Sequence, residues 1–325
     1  MHKRADGSDH FVISHELMVC TLFEGDYHLG LAALVNSLIA HDFKGCIAVG
    51  YRGALPPWVD QLTRAQSVAD ANQYQISDNV QIKFVTIDTA MHLANFKPFF
   101  MRRLLSEHPT CKYIWYFDPD IVVRCSWEFF VQWVKYGICL CEDVTNGTMP
   151  TNHPIRCRWI ELATLWGLVN PVKFSRYYNS GFVGLPASSA HFLEVWESVI
   201  DSAQSSGVSM TAFGIGTRMS PFYGVDQDAM NVAAMYAGLP LTTVGPEGMD
   251  LVPGGFTMYH AIGSPKPWRK NMLLSAIKGV PPSGSDKAFL ANLVRPIRVY
   301  TTTRLAVKRL SCNAAALIGR FYRRG

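Results

Sequence analysis

Two rhythms of apolar and polar positions follow one another along this chain. Leu17–Phe23 is a short apolar run suited to a buried strand, and Glu24-Gly25-Asp26 after it reads as a turn or helix start. Leu31, Leu34, Val35 and Leu38 then fall at i, i+3, i+4 and i+7, one face of a helix. Cys46–Val49 and Val80–Ile87 read as strands, Phe99–Leu105 as a helix, and Tyr113–Phe117 as a strand buried on both faces. Ile138–Cys141 is a further strand, followed by a polar connection rich in Thr, Asn and Pro. Phe182–Leu185 reads as a strand. Phe192, Val195, Trp196 and Val199 mark another amphipathic helix, and Asp226–Gly238 a third, with Met230, Ala233, Ala234 and Ala237 on one face. This alternation predicts an α/β sheet built on crossover units.

Composition adds an organisation to the pattern. With 325 residues, 49% of them hydrophobic and 17% charged, the chain can bury one large core and is not disordered. The expected layout is a poorly ordered leader over residues 1–16, a globular body over 17–280 and a basic C-terminal tail over 281–325, joined at Pro281-Pro282-Ser283-Gly284. Charge is divided unevenly between these parts. Residues 287–325 hold nine of the 30 basic residues and no acid, so the first 286 carry 21 basic against 25 acidic side chains. A basic segment on an acidic body points to an anionic surface, not to nucleic acid. Val307, Leu310, Ala314, Leu317 and Phe321 lie at helical spacing there, the pattern of a helix that lies on anionic lipid or of a solvated helix packed on the body.

The start of the chain is too short and too polar for a signal peptide, and no apolar run approaches the roughly 18 residues of a membrane span. The expected location is the cytoplasm, including the inner face of a membrane. Eight cysteines without a CxxC spacing read as small buried hydrophobes in a reducing compartment rather than as a structural zinc site.

Four segments carry candidate chemistry. Asp118-Pro119-Asp120 follows the buried run Tyr113–Phe117. Open α/β sheets bind ligands beyond the carboxyl ends of their strands, and paired carboxylates there suit a divalent cation that also holds a diphosphate. Asn179-Ser180-Gly181 offers a side chain that both donates and accepts, beside a residue that permits close backbone approach; a plain turn before the next strand is the simpler account. Asp226-Gln227-Asp228 opens a helix, where acids also serve as caps. His260-Ala261-Ile262-Gly263-Ser264-Pro265-Lys266-Pro267-Trp268 joins an imidazole ligand, a glycine and a lysine suited to phosphate in one loop.

In this order the segments resemble those of glycosyltransferase family 8, the group of glycogenin and the bacterial lipooligosaccharide galactosyltransferases. The likeness runs over roughly residues 17–270 and includes Tyr27, Gly30 and Ser37-Leu38 in the opening strand and helix. It departs from the family pattern at Ser180, where Ala is usual, and at Ala261, where an aromatic is common. The resemblance implies a GT-A fold, with a central mostly parallel sheet flanked by helices, and Mn2+ as cofactor with Mg2+ as the alternative. It further implies a retaining transfer of a hexose from a nucleotide-diphosphate sugar, usually a UDP-sugar, to a glycan or glycolipid acceptor. Carried over, Asp118, Asp120 and His260 would bind metal, while Lys266 and Gly263 would hold the diphosphate. Tyr27, Asn179 and Gly181 would line the donor site. Asp226 would bind the donor sugar and Gln227 would sit at its anomeric carbon. One basic residue among Lys97, Arg102 and Arg103 would contact the donor.

Two other readings compete. A sugar-nucleotide-binding scaffold on the same fold would keep the pocket without turnover. A phosphohydrolase of the haloacid dehalogenase type also uses Asp-x-Asp after an apolar strand, but there the motif opens the domain, and here more than a hundred residues precede it.

Overall fold

The computed structural model describes residues 16–65, 72–212, 214 and 216–322. Apart from Glu16, the expected leader lies outside them. A nine-stranded mixed sheet forms the centre. Its strands are β1 (Leu17–Glu24), β2 (Gly45–Arg52), β3 (Thr63–Arg64), β4 (Gln73–Ser77), β5 (Val80–Thr86), β6 (Tyr113–Phe117), β8 (Ile138–Glu142), β9 (Tyr178–Pro186) and β10 (Leu241–Val244), in the order β10-β8-β9-β6-β1-β2-β5-β4-β3. The run β6-β1-β2-β5 is parallel and β10 is parallel to β8, whereas β9 and β4 run against their neighbours. Two short strands, β7 (Ile121–Val123) and β11 (Met258–His260), pair antiparallel outside this sheet.

Period-2 alternation sorts the central strands onto two cores. Met18, Cys20 and Leu22 of β1, with Ile114 and Tyr116 of β6, face α2 (Lys97–Glu107), α4 (Pro154–Leu165), α5 (His191–Ser205) and α6 (Val225–Tyr236). Val19, Phe23, Trp115 and Phe117 face α1 (His28–Ala40) and α3 (Trp127–Val134). Both faces are covered, which is why these strands read as unbroken apolar runs.

Three further helices, α7 (Met272–Ile277), α8 (Gly284–Ala291) and α9 (Thr302–Ile318), close a third cluster around Trp268, Phe289, Leu293, Leu305 and Ala315. The segment read as a linker begins α8: Ser283 accepts from the Asp286 N–H, and the Asp286 carboxylate accepts from Ser283 N–H in return. Asn36 on α1 ties this unit down, donating to the carbonyls of Asn292 and Ile297 at 2.8 Å each and accepting from Ile297 N–H at 2.9 Å.

The eight cysteines are unpaired. Burial pushes the Cys46 thiol up to about 11 and the Cys111 thiol up to about 12, so neither is a nucleophile at neutral pH. No helix among the described residues is long and apolar enough to cross a membrane.

Candidate metal centre and its cleft

Asp118, Asp120 and His260 come together because of β7 and β11. The chain leaves β6 at Phe117 and turns, with Ile121 N–H donating to the Asp118 carbonyl at 3.0 Å. It then runs on as Ile121-Val122-Val123, three β-branched residues that favour a strand. That strand pairs with Met258–His260 in a register that sets His260 opposite Ile121, and Ala261 N–H closes the ladder on the Asp120 carbonyl at 3.1 Å. An imidazole 140 residues away is thereby delivered to the carboxylate pair.

The three side chains offer ligand atoms that all lie within 4.8 Å of one another. His260 Nε2 is 3.3 Å from Asp120 Oδ1 and 3.7 Å from Asp118 Oδ2. Two ligands each roughly 2.0–2.2 Å from one ion, at ordinary coordination angles, stand about 3 to 3.6 Å apart, so the cluster is close to the size a divalent cation requires. Two carboxylates and a neutral imidazole also match a charge of two. The residues fit a metal ion. Gly181 packs beneath them: a Cβ there would meet His260 Cε1 at 2.5 Å and Asp118 Oδ2 at 3.0 Å.

Lysines flank the cluster on both sides. Lys266 Nζ donates to Asp120 Oδ2 at 2.5 Å and to the Ala261 carbonyl at 2.8 Å. Its loop turns at Gly263, whose φ of +78° lies in the left-handed region. Trp268 anchors the loop, edge-on to Tyr27 at 5.2 Å and beside Phe289 at 5.5 Å, and its ring occupies the space that a Cβ on Gly30 would need. Burial raises the Asp120 carboxyl, but His260 and then Lys266 outweigh it and hold the group below the usual carboxylate range. Burial likewise lowers Lys266, and Asp120 more than reverses this.

On the other side, Lys97 is buried and reaches Asp226 Oδ2 at 2.9 Å, Asp118 Oδ1 at 3.2 Å and the Ser180 carbonyl at 3.1 Å. Of Lys97, Arg102 and Arg103, Lys97 is therefore the one that reaches the site. Arg102 pairs with Glu197 and Arg103 with Glu107, both away from it. Asp226 is wholly buried and is not a cap: Gly224 holds the N-cap position, and Asp226 points inward to Lys97 and to Ser180 Oγ at 2.6 Å. Burial raises its carboxyl, while Lys97 and the Ser180 hydroxyl bring it below the ordinary value. Among the described residues Asp226 Oδ1 has no hydrogen-bond partner.

Asn179-Ser180-Gly181 lies inside β9, not in a turn before it. Asn179 Oδ1 accepts from Gly181 N–H at 2.8 Å, and its amide donates to Asp143 Oδ2. The same Asp143 oxygen accepts from Gln227 Nε2 at 3.2 Å, while Gln227 Oε1 accepts from Ser180 N–H at 3.1 Å. Gln227 is thus held at both ends of its amide. Sequence reading passed over Asp143, the residue that joins the two amides. Its only local sign is its position just past the apolar run Ile138–Cys141, the same strand-end placement as Asp118. Asn231 was also missed; it clips α6 to β9 by pairing with both backbone groups of Tyr178.

All ten expected site residues line or adjoin one cavity of about 740 Å3, a size common for small-molecule sites. A shallower depression of about 450 Å3 lies along α5, where Arg102 is engaged by Glu197; it offers no comparable ligand cluster.

Compared with known proteins, the chain matches no family model and no curated protein sequence. Its fold does match a solved structure, the apo form of the bifunctional glycosyltransferase WbbM, with a TM-score of 0.53 and 17% identity over 92% of this chain. At this identity the likeness is one of fold alone. The chain spans about half of WbbM, 52% of its length.

Proposed function

We propose that this chain is a metal-dependent glycosyltransferase. It takes a hexose from a nucleotide-diphosphate sugar, in first place a UDP-sugar, and passes it to a glycan or glycolipid acceptor with retention of configuration. The observation that carries this reading is the meeting of Asp118, Asp120 and His260 in one cleft with Lys266 beside them and Asp226 opposite. The likeness of fold to a glycosyltransferase supports it. A mixed oxygen and nitrogen donor set favours Mn2+ over Mg2+, which prefers oxygen and keeps its waters.

The cation, when bound, neutralises the charge that builds on the departing diphosphate. The chain's own groups do the rest. Lys266, held by the turn at Gly263, adds a second positive charge for the phosphate oxygens, and Tyr27 walls the donor side. Asp226 presents its unpartnered Oδ1 to a sugar hydroxyl, with Asn179 and the Gly181 backbone alongside. Gln227, fixed by Ser180 and Asp143, is the group beside the anomeric carbon. An amide is a poor nucleophile, and the Asp226 carboxylate is tied to Lys97 and Ser180, so the acceptor attacks from the face the diphosphate leaves. A covalent glycosyl adduct trapped on Asp226 would overturn that stereochemical course.

The test is release of nucleoside diphosphate from a panel of sugar nucleotides, with Mn2+ or with chelator. The reading expects release from at least one donor that stops in chelator and in Asp120→Asn. Donor binding with no release anywhere in the panel would mark a binding protein instead.

A further inference from the structure

Helix α9 turns its apolar stripe outward. The face packed on the body is made by Leu305, Cys312 and Ala315. The regular series Val307, Leu310, Ala314 and Leu317 lies on the other side and Phe321 follows in the turn after the helix, with Leu310 71%, Leu317 54% and Phe321 84% exposed. Helix α7 packs beside α9 and exposes Leu274 and Ile277, the latter 64% exposed, with Val280 just past its end. Two neighbouring helices thus each expose several large apolar side chains, more than the scatter of single apolar residues that any surface carries.

Charge decides what docks. From residue 251 to 325 the sequence has thirteen basic residues and one acid, Asp286, and Asp286 is buried against Lys270 at 2.6 Å. Arg309 is used internally, donating to the Leu290 carbonyl that ends α8. Arg304 on α9, Arg320 in the turn just after it and Lys278 after α7 are exposed beside the apolar series, and Arg304 and Lys308 both lie over the Tyr300 ring at 5.0 Å. A second copy of the chain would bring these cations against their own equivalents with no carboxylate between them. An acyl-chain surface bordered by phosphate headgroups suits both the stripe and its rim.

We infer that the α7–α9 face is a docking surface for an anionic lipid bilayer, lying in its plane with Leu310, Leu317, Phe321 and Ile277 below the headgroups and Arg304, Lys278 and Arg320 among them. Trp268 and Met272 belong to the same packed cluster, so docking holds the Lys266 loop near the membrane plane. The inference stands apart from the reading of the cleft as a glycosyltransferase site.

The experiment is co-sedimentation of the full chain with vesicles of phosphatidylcholine alone or of phosphatidylcholine with phosphatidylglycerol, with oligomeric state measured without lipid. The chain should pellet with the anionic vesicles and stay free with the neutral ones. The triple variant Leu310→Ser, Leu317→Ser, Phe321→Ser should lower partition at least tenfold, and Arg304→Glu with Arg320→Glu should do the same through charge. All five side chains are exposed, so the fold should survive, and the circular dichroism melt checks this. Equal binding by the variants and the wild type, or no binding to anionic vesicles, overturns the proposal. So does a lipid-free dimer that the triple variant dissociates, which would assign the face to a second copy.

Discussion

Replacing Lys97 with Met tests the electrostatic logic of the cleft. Lys97 touches Asp226 at 2.9 Å and Asp118 at 3.2 Å, and both Lys97 and Asp226 are buried. The variant keeps most of the side chain's length but leaves the Asp226 carboxylate with only Ser180 and backbone support. Removing one partner of a buried ion pair costs about 3–5 kcal/mol, because the remaining charge stays out of water. Urea unfolding in chelator near pH 7.5 should show a loss of that size at unchanged m-value. The double variant Lys97→Met, Asp226→Asn should recover most of it, since neither charge then remains at that pair. In the wild type Asp226 has a lowered folded pKa; its stabilisation is complete above the unfolded value of about 3.9 and is lost as pH falls through the folded one. In the single variant burial acts without Lys97 and raises that pKa. The deficit should therefore be largest at neutral pH and shrink as acid protonates the group. A single variant as stable as the wild type near pH 7.5, or a double variant no better than the single, refutes the argument.

Other expectations follow from the same geometry. Gly181→Ala puts a methyl against His260 and Asp118, and overpacking of this kind costs about 1–3 kcal/mol; divalent-cation affinity measured by calorimetry should fall well below that of the wild type. Asp143→Ala releases the amides of Gln227 and Asn179, so donor turnover should drop at least tenfold while Mn2+ affinity stays unchanged. Burial raises Asp228 to about 8, with Tyr177 donating to it at 2.8 Å. A raised acid binds its proton more tightly in the folded state, so wild-type stability falls as pH rises from the ordinary carboxylate range to about 8; Asp228→Asn should flatten that slope in urea unfolding.

The central strands were legible because both their faces are buried: Tyr113–Phe117 agrees with the sequence reading residue for residue, and Leu17–Phe23 to within one residue. Short elements were not. β7 and β11 have three residues each, too few for a period to register, although their pairing assembles the metal centre. Helix α4 sits in what reads as a polar connection, because it buries only Ile155, Arg156, Trp159 and Ala163 along twelve residues. Local sequence also cannot rank Lys97 against Arg102 and Arg103; the packing of α2 on the sheet and α5 does that. The stripe on α9 was visible as a period, but which side of the helix met the body depended on Leu305, Cys312 and Ala315 packing into a cluster built from distant segments.

The account rests on one cation held jointly by Asp118, Asp120 and His260 while it grips a diphosphate. Pulsed electron paramagnetic resonance of Mn2+ on the protein, with and without UDP, reads both contacts directly. Nitrogen coupling from an imidazole should be present in the wild type and absent in His260→Ala, and phosphorus coupling should appear when UDP is added. A bound Mn2+ that shows no nitrogen coupling, or no phosphorus coupling at saturating UDP, contradicts the assignment.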